Sequence, residues 1–224
     1  MPVLLTSRGG GTSRPPYEEL NLGDHVGDDP AAVAATRPRL AEQIGRPVQY
    51  MRQVHGAQVA LVRRPGPAPE ADAMVTDVPG LALAVLVADC APVLFEAPGA
   101  VGVAHAGRAG MAAGVLAATL RVFDELGVDR SEISVTVGPA ICGSCYEVSP
   151  ELCREVSRLV PGSASTTRAG TPAIDLRAGL AGQLREAGVK SVTISPRCTA
   201  EDPDLYSYRR DGVTGRFAGL AWLA

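Results

Sequence analysis

Three segments of this 224-residue chain carry residue types and spacings that can do chemistry: Met51-Arg52-Gln53-Val54-His55-Gly56, Val87-Ala88-Asp89-Cys90 and Val103-Ala104-His105-Ala106-Gly107. Histidine occurs only three times, and His55 and His105 both sit beside glycine-containing turns. With Cys90 they supply two imidazoles and one thiolate. That set suits Zn²⁺ and leaves a fourth position open for water or substrate. Such ligands must be neutral imidazole and deprotonated thiol, both reachable near neutral pH once a cation is present. The same residues also have a plainer reading, with His105 a hydrogen-bonded core histidine and Cys90 a small buried hydrophobe. A third use pairs Cys90 as nucleophile with His55 or His105 as base, the arrangement of a cysteine hydrolase. His25, within Gly23-Asp24-His25-Val26-Gly27, reads as a loop histidine.

Around this set stand candidate helpers. Asp89 precedes Cys90, so in an extended strand the two side chains point to opposite faces; Asp89 reaches the same cleft only if the strand ends or bends there. It would then handle protons for water or substrate, or else cap a turn before Pro92. Gly107-Arg108-Ala109-Gly110 leads into a helix whose free N–H groups, helped by Arg108, could hold an anion; it could equally be a tight turn that needs glycine. Arg52 lies three residues before His55 and could reach a phosphate or simply be solvated. Cys142-Gly143-Ser144-Cys145 is a C-x-x-C with no second pair to complete a four-cysteine zinc site and no thioredoxin-like surroundings, and is read as structural.

The elements that must position these groups follow from periodicity. Residues 3–6 form a strand; Asp28-Asp29-Pro30 opens a helix that runs to about Ile44, with Pro38 as a kink or break. Residues 48–53 and 58–63 read as two strands with His55-Gly56 at the turn between them. Residues 81–87 are a continuous apolar run, as in a strand buried on both faces. Strands follow at 92–96 and 101–105. Met111, Val115, Ala118, Val122 and Leu126 recur at helical spacing and predict one amphipathic helix over 110–127. A strand at 133–137, helices at 150–160 and 176–187, a strand at 192–195 and two short apolar-aromatic stretches around Asp211-Gly212 complete the chain. The Pro/Gly loops are short and no repeat is present, which favours a single mixed α/β domain over 1–224.

Composition sets the outer limits. Hydrophobic residues make up 46% and aromatics 4%, so the core must be mostly Ala, Val and Leu. A net charge of −3 argues against a general nucleic-acid partner. Lys190 is the one lysine; arginine, the better fork for phosphate or carboxylate, carries the remaining basic charge. The longest apolar run is far too short to cross a bilayer. No basic-then-apolar leader opens the chain. Five cysteines with no secretion signal imply a reducing cytoplasm with free or metal-bound thiols.

With these segments in view, the chain resembles the multicopper polyphenol oxidase (laccase-domain) family, also called the purine nucleoside phosphorylase family with the laccase domain. The likeness spans Thr6-Ser7-Arg8-Gly9-Gly10, Leu20-Asn21-Leu22-Gly23 with His25-Val26-Gly27-Asp28-Asp29-Pro30, Arg52-Gln53-Val54-His55-Gly56, Ala71-Asp72-Ala73, Ala88-Asp89-Cys90-Ala91-Pro92-Val93 and Ala104-His105-Ala106-Gly107. It continues through Gly138-Pro139, Cys145-Tyr146-Glu147-Val148, Cys198-Thr199, Ser207-Tyr208-Arg209-Arg210-Asp211-Gly212 and Thr214-Gly215-Arg216. It implies an α/β (α+β) fold, a single domain with mixed β-sheets sandwiched by helices in α/β/β/α-type layers. It implies that His55, Cys90 and His105 bind zinc. It implies activity on purine nucleosides: phosphorolysis of adenosine, inosine, guanosine or S-methyl-5′-thioadenosine, deamination of adenosine, or both. Asp89, Cys90 and Arg52 are then the candidate catalytic residues, and Arg8, Asn21, Gly107 and Arg108 the candidates for substrate or phosphate binding. The family's copper-oxidase label and its link to peptidoglycan editing give the alternatives: a copper-dependent polyphenol oxidoreductase, or a cysteine-type hydrolase. Three histidines cannot build a trinuclear oxygen-reducing cluster, so Cu²⁺ ranks behind Zn²⁺. One departure stands out: the family has Trp-Arg after His-Ala-Gly, where this chain has Arg108-Ala109.

Overall fold

The central strands of this chain are apolar on both faces, which forces an arrangement in which each sheet is covered on both sides. The computed structural model describes residues 3–224, so the first two residues of the expected 1–224 domain lie outside it. Its strands are β1 (Val3–Leu5), β2 (Val48–Gln49), β3 (Val59–Leu61), β4 (Ala73–Thr76), β5 (Ala82–Val87), β6 (Ala91–Ala97), β7 (Ala100–Ala106), β8 (Ser134–Val137), β9 (Ala164–Thr166), β10 (Pro172–Ile174), β11 (Ser191–Ile194) and β12 (Phe217–Trp222). Its helices are α1 (Pro30–Ile44), α2 (Arg108–Ala112), α3 (Val115–Glu125), α4 (Pro150–Leu159), α5 (Leu176–Glu186) and α6 (Tyr208–Asp211).

A mixed six-stranded sheet runs β11-β8-β6-β7-β4-β3, a four-stranded one runs β1-β12-β5-β2, and β9 and β10 pair as a small ribbon. The two-residue period of a strand sorts the side chains into layers. Ala82, Ala84 and Leu86 of β5 join Leu40 of α1, whereas Leu83, Val85 and Val87 meet Leu94, Val101 and Val103 of the larger sheet. On the far face of that sheet Ala91, Val93, Phe95, Ala104 and Ala106 pack under Met111, Leu116, Leu120, Phe123 and Leu180. The order of layers is therefore helix, sheet, sheet, helices, the expected α+β sandwich. Burying each of these large apolar side chains stabilises by about 1.5–3 kcal/mol. No helix among the described residues is long and apolar enough to cross a membrane.

Three local expectations fail for physical reasons, and the break allowed for at Pro38 does not occur. The strands at 48–49 and 59–61 do not form a hairpin: β2 pairs in parallel with β5 and β3 in parallel with β4, in different sheets. The strand expected to run to Gln53 stops at Gln49. Gln53 instead uses its side chain as a ladder, donating to the Leu86 carbonyl at 2.7 Å and accepting from the Leu86 N–H at 2.8 Å. Pro38 does not break α1, because it and Ala34, whose carbonyl it leaves unpaired, lie on the exposed face where water can take the bond. The single helix expected over 110–127 is two, because Gly114 adopts a left-handed φ of 82° between the end of α2 and the start of α3.

Candidate metal centre and its cavity

The site lies at the open end of the inter-sheet layer, where β5 ends, β6 begins and β7 ends. Strand parity decides which β7 side chain enters it: Ala104 and Ala106 face the helices, so His105 shares the face of Val101 and Val103. His105 is 3% exposed. The chain bends sharply just after β5. Asp89 takes a positive φ of 92°, an uncommon backbone for a non-glycine residue, and so Cys90 and Asp89 both face the cavity. His55 sits in a loop and also has a positive φ, 62°.

Asp72 organises both histidines. It lies one residue beyond the Ala73–Ala104 pair of the β4–β7 ladder, directly across from His105. Its carbonyl accepts the His105 N–H at 2.7 Å, and its Oδ1 is 2.8 Å from His105 Nδ1. Three successive backbone N–H groups, of Val54, His55 and Gly56, donate to the same carboxylate at 3.2, 2.9 and 2.6 Å. The left-handed turn at His55 aims them at one point, so a fully buried carboxylate both shapes the His55 loop and fixes the His105 ring. With Nδ1 engaged, Nε2 of His105 is the nitrogen left for a metal, the arrangement that second carboxylates impose on metal-binding histidines. Burial would raise the Asp72 pKa, but the His105 bond and the Gly56 N–H more than offset it, and the net shift is downward.

The three ligand atoms of His55, Cys90 and His105 lie within 4.8 Å of one another. The imidazoles meet edge to face with centroids 4.6 Å apart, and Cys90 Sγ is 4.0 Å from His55 Nε2. Burial would push the Cys90 thiol up, but the charge and hydrogen bond of His105, then those of His55, bring it down to about 6. His105 moves the other way: burial would lower it, yet Cys90 and Asp72 lift it to about 9. Each group thus favours the charged form of the other, and a divalent cation bound between them would compete with the His105 proton. The donor set fits Zn²⁺, with two nitrogens, one thiolate and an open side. Gly107 is required by closeness: a Cβ there would stand 2.6 Å from Cys90 Sγ.

The open side faces a cavity of about 500 Å³, within the range of small-molecule sites. Its walls hold Arg108, Arg209, Arg216, Tyr146, Tyr208 and His25, besides the ligand set. Arg209 lies over the Tyr146 ring at 5.1 Å and donates to the Glu147 carbonyl at 2.9 Å. Arg216 is anchored through Nη1 to the Thr214 and Gly215 carbonyls, both at 2.9 Å, and burial lowers its pKa. Asp89 Oδ1 accepts from the hydroxyls of Thr199 and Ser207, each at 2.6 Å, while Oδ2 accepts from the Arg209 N–H at 2.7 Å. Oδ1 is saturated; Oδ2 keeps one lone pair.

Other expected site residues lie elsewhere. Arg52 is largely exposed and ion-paired with Glu70, because its segment bridges to Glu70 rather than toward His55. Arg8 is taken by Glu18, by Asp211 at 3.7 Å, and by the face of Tyr206. Asn21 is fully buried, its amide accepting from the Gly23 and Arg216 N–H groups and donating to the Gly23 carbonyl and Asp28. None of these three lines the cavity. Gly107 and Arg108 do stand at it, but the helix they open is only five residues long. Reading the residues singly missed Asp72, Arg209, Arg216 and Tyr146, although each lies in a segment that carried the family resemblance. The signal available for Asp72 was an acidic residue set immediately before the apolar run Ala73-Met74-Val75.

Comparison with known proteins agrees with this architecture. The family described as multi-copper polyphenol oxidoreductase laccase matches residues 2–224. A purine nucleoside phosphorylase of Mycobacterium tuberculosis is 53% identical over 98% of this chain and 91% of its own length. One of Streptomyces coelicolor is 51% identical over 98% and 94%. Among solved structures, a Neisseria meningitidis protein superposes with a TM-score of 0.91 at 38% identity, covering 99% of this chain and 93% of the other. YlmD from Geobacillus stearothermophilus does so with 0.91 at 35%, covering 99% and 92%.

Proposed function

The chain belongs to the multi-copper polyphenol oxidoreductase laccase family, and on that premise we propose that it is a zinc-dependent purine nucleoside enzyme. The reactions are phosphorolysis of adenosine, inosine, guanosine or S-methyl-5′-thioadenosine, with deamination of adenosine at the same cavity. The observation that carries this reading is one cavity that joins a His-Cys-His set to three arginines and two tyrosines. Relatives at about half identity are named purine nucleoside phosphorylase, which supports it.

His55, Cys90 and His105 would hold the metal. Zn²⁺ bound there supplies Lewis acidity, stabilising developing negative charge and lowering the pKa of water. The chain's own residues do the rest. Arg108, Arg209 and Arg216 offer planar forks that bind phosphate oxygens bidentately and hold the anion against C1′, while Tyr146 and Tyr208 offer ring faces to the purine. In phosphorolysis a phosphate oxygen bonds to C1′, the bond from C1′ to the base nitrogen breaks with its electron pair, and the base takes up a proton. In deamination water adds at C6 and ammonia leaves. Asp89 Oδ2, with its single backbone donor, is the atom at which a proton can be held during that exchange. Where the family has Trp-Arg after His-Ala-Gly this chain has Arg108-Ala109, and Arg108 stands at the cavity wall.

The test is purified protein of known zinc content incubated with adenosine or inosine, with and without phosphate. Phosphate-dependent release of adenine or hypoxanthine supports phosphorolysis, and inosine from adenosine supports deamination. Zinc-loaded protein giving none of these products refutes the proposal. Activity that survives a strong chelator would move the chemistry to Cys90 as nucleophile. Stoichiometric copper with an intense visible thiolate band would replace zinc by copper.

A further inference from the structure

A second cluster of metal-ligating side chains lies behind the cavity wall. Cys142, Cys145, Cys198 and Glu201 bring three sulfurs and a carboxylate oxygen within 4.8 Å of one another. The sequence shows only the Cys142–Cys145 pair; the fold supplies the other two ligands from a turn that begins at Cys198, 56 residues after Cys142. We propose that these four residues form a closed, structural site for a thiophilic divalent cation, with Zn²⁺ as the fitting ion.

The two loops that carry the ligands are built alike. In the first, the Cys142 carbonyl accepts from the N–H groups of Cys145 and Tyr146, both at 3.0 Å. In the second, the Cys198 carbonyl accepts from those of Glu201 and Asp202 at 3.1 and 2.9 Å. Each loop is thus a single tight turn that sets its first and fourth side chains side by side, a C-x-x-C facing a C-x-x-E. A parallel bridge between Ala140 and Cys198 fixes their relative position. The Cys142 N–H points at Cys198 Sγ at 3.3 Å, and the Ala200 N–H bonds the same sulfur. The Cys142–Cys145 turn is pressed so closely onto the ribbon that a Cβ on Gly143 would stand 2.5 Å from Ser165 Oγ.

Tetrahedral zinc with bonds of about 2.3 Å to sulfur needs sulfurs about 3.8 Å apart, so the cluster closes with movements of about 1 Å. Four protein ligands leave no open position, which marks a structural rather than a catalytic site. Binding releases the thiol protons to solvent and moves no electrons. Arg168, now ion-paired with Glu201, offsets part of the remaining negative charge. The site clips together the two loops that shape the cavity: the first carries Ile141 and Tyr146, and the second carries Thr199, which donates to Asp89. Uncharged and unbound, three neighbouring thiols also pack as small hydrophobes, and the experiment separates the two states.

Co²⁺ is titrated under reducing conditions into metal-free Cys90→Ser, which lacks a thiolate at the first centre. The proposal expects one equivalent to produce an intense near-ultraviolet thiolate-to-cobalt band. That band disappears when Cys142→Ser and Cys198→Ser are added, and Glu201→Gln keeps it but needs roughly tenfold more free metal. A folded, reduced Cys90→Ser protein that gives no such band overturns the proposal, as does a disulfide linking any two of the three cysteines in protein purified without reductant. Should Cys90→Ser not fold, the zinc content of wild type decides: two ions per chain sustain the site, and one or none overturns it.

Discussion

Replacing Asp72 by asparagine removes one acceptor and almost no volume, and so isolates what this buried carboxylate does. Oδ1 serves His55 N–H and His105 Nδ1, at 2.9 and 2.8 Å, and Oδ2 serves Val54 and Gly56, at 3.2 and 2.6 Å. An amide has one oxygen. If it faces His105, its NH₂ opposes the Val54 and Gly56 N–H groups, and the turn that carries His55 loosens. If it faces Gly56, its NH₂ opposes His105 Nδ1–H, and the imidazole is driven to protonate Nε2, the nitrogen needed by the metal. Either orientation forfeits a charge-assisted bond in a fully buried place, worth about 1.5–3 kcal/mol to the metal-free fold. Outer partners of metal-binding histidines change affinity by about 10–100-fold, which is about 1.4–2.7 kcal/mol. Zinc affinity is read by competition with a chromophoric chelator at fixed pH, and metal-free stability by chemical denaturation. An Asp72→Asn protein that binds zinc within twofold of wild type, at undiminished metal-free stability, refutes the role assigned to this residue.

Three further outcomes are expected. Gly107→Ala puts a methyl 2.6 Å from Cys90 Sγ; metal binding at the first centre should fall at least tenfold, with about 1–3 kcal/mol of stability lost to overpacking, and an unchanged zinc affinity would contradict the close approach. Arg216→Gln should raise the KM for phosphate by tenfold or more while leaving zinc content unchanged, as steady-state kinetics and metal quantification can check; an unaltered KM would remove Arg216 from the anion site. The Arg210 hydrogen bond holds Asp211 below the usual carboxylate range. Because the folded pKa is the lower one, its stabilisation is present above about pH 4 and is lost as pH falls through the folded value. Arg210→Gln should therefore shift acid unfolding, followed by circular dichroism, to higher pH, and no shift would show that the pair contributes nothing.

Much of the secondary structure was legible because periodicity survives locally. The continuous apolar run at 81–87 is a strand because a segment buried on both faces has no reason to alternate, and the Asp29-Pro30 start and Gly45 stop of α1 are local backbone chemistry. The pairing of strands was not legible. Residues 48–61 look like a hairpin, yet β2 and β3 separate into different sheets, since partner choice depends on which distant strand completes each layer. Likewise the helix over 110–127 was visible as an apolar stripe, but the left-handed Gly114 that divides it leaves the stripe intact.

The scarcity of histidine and the chemistry of imidazole and thiolate were enough to nominate His55, Cys90 and His105 from residue types alone. Tertiary structure decided what surrounds them. Strand parity turned His105 inward, a bend at Asp89 brought Cys90 beside it, and a ladder position opposite His105 made Asp72 the carboxylate that orients both histidines. It withdrew Arg8, Arg52 and Asn21 from the cavity and supplied Arg209 and Arg216 instead. It also joined Cys142 and Cys145 to Cys198 and Glu201. The reason is common to all of these: a ligand or anion site depends on distances between atoms far apart in the chain. Composition and spacing state which atoms exist, and only the packing of layers states which of them meet.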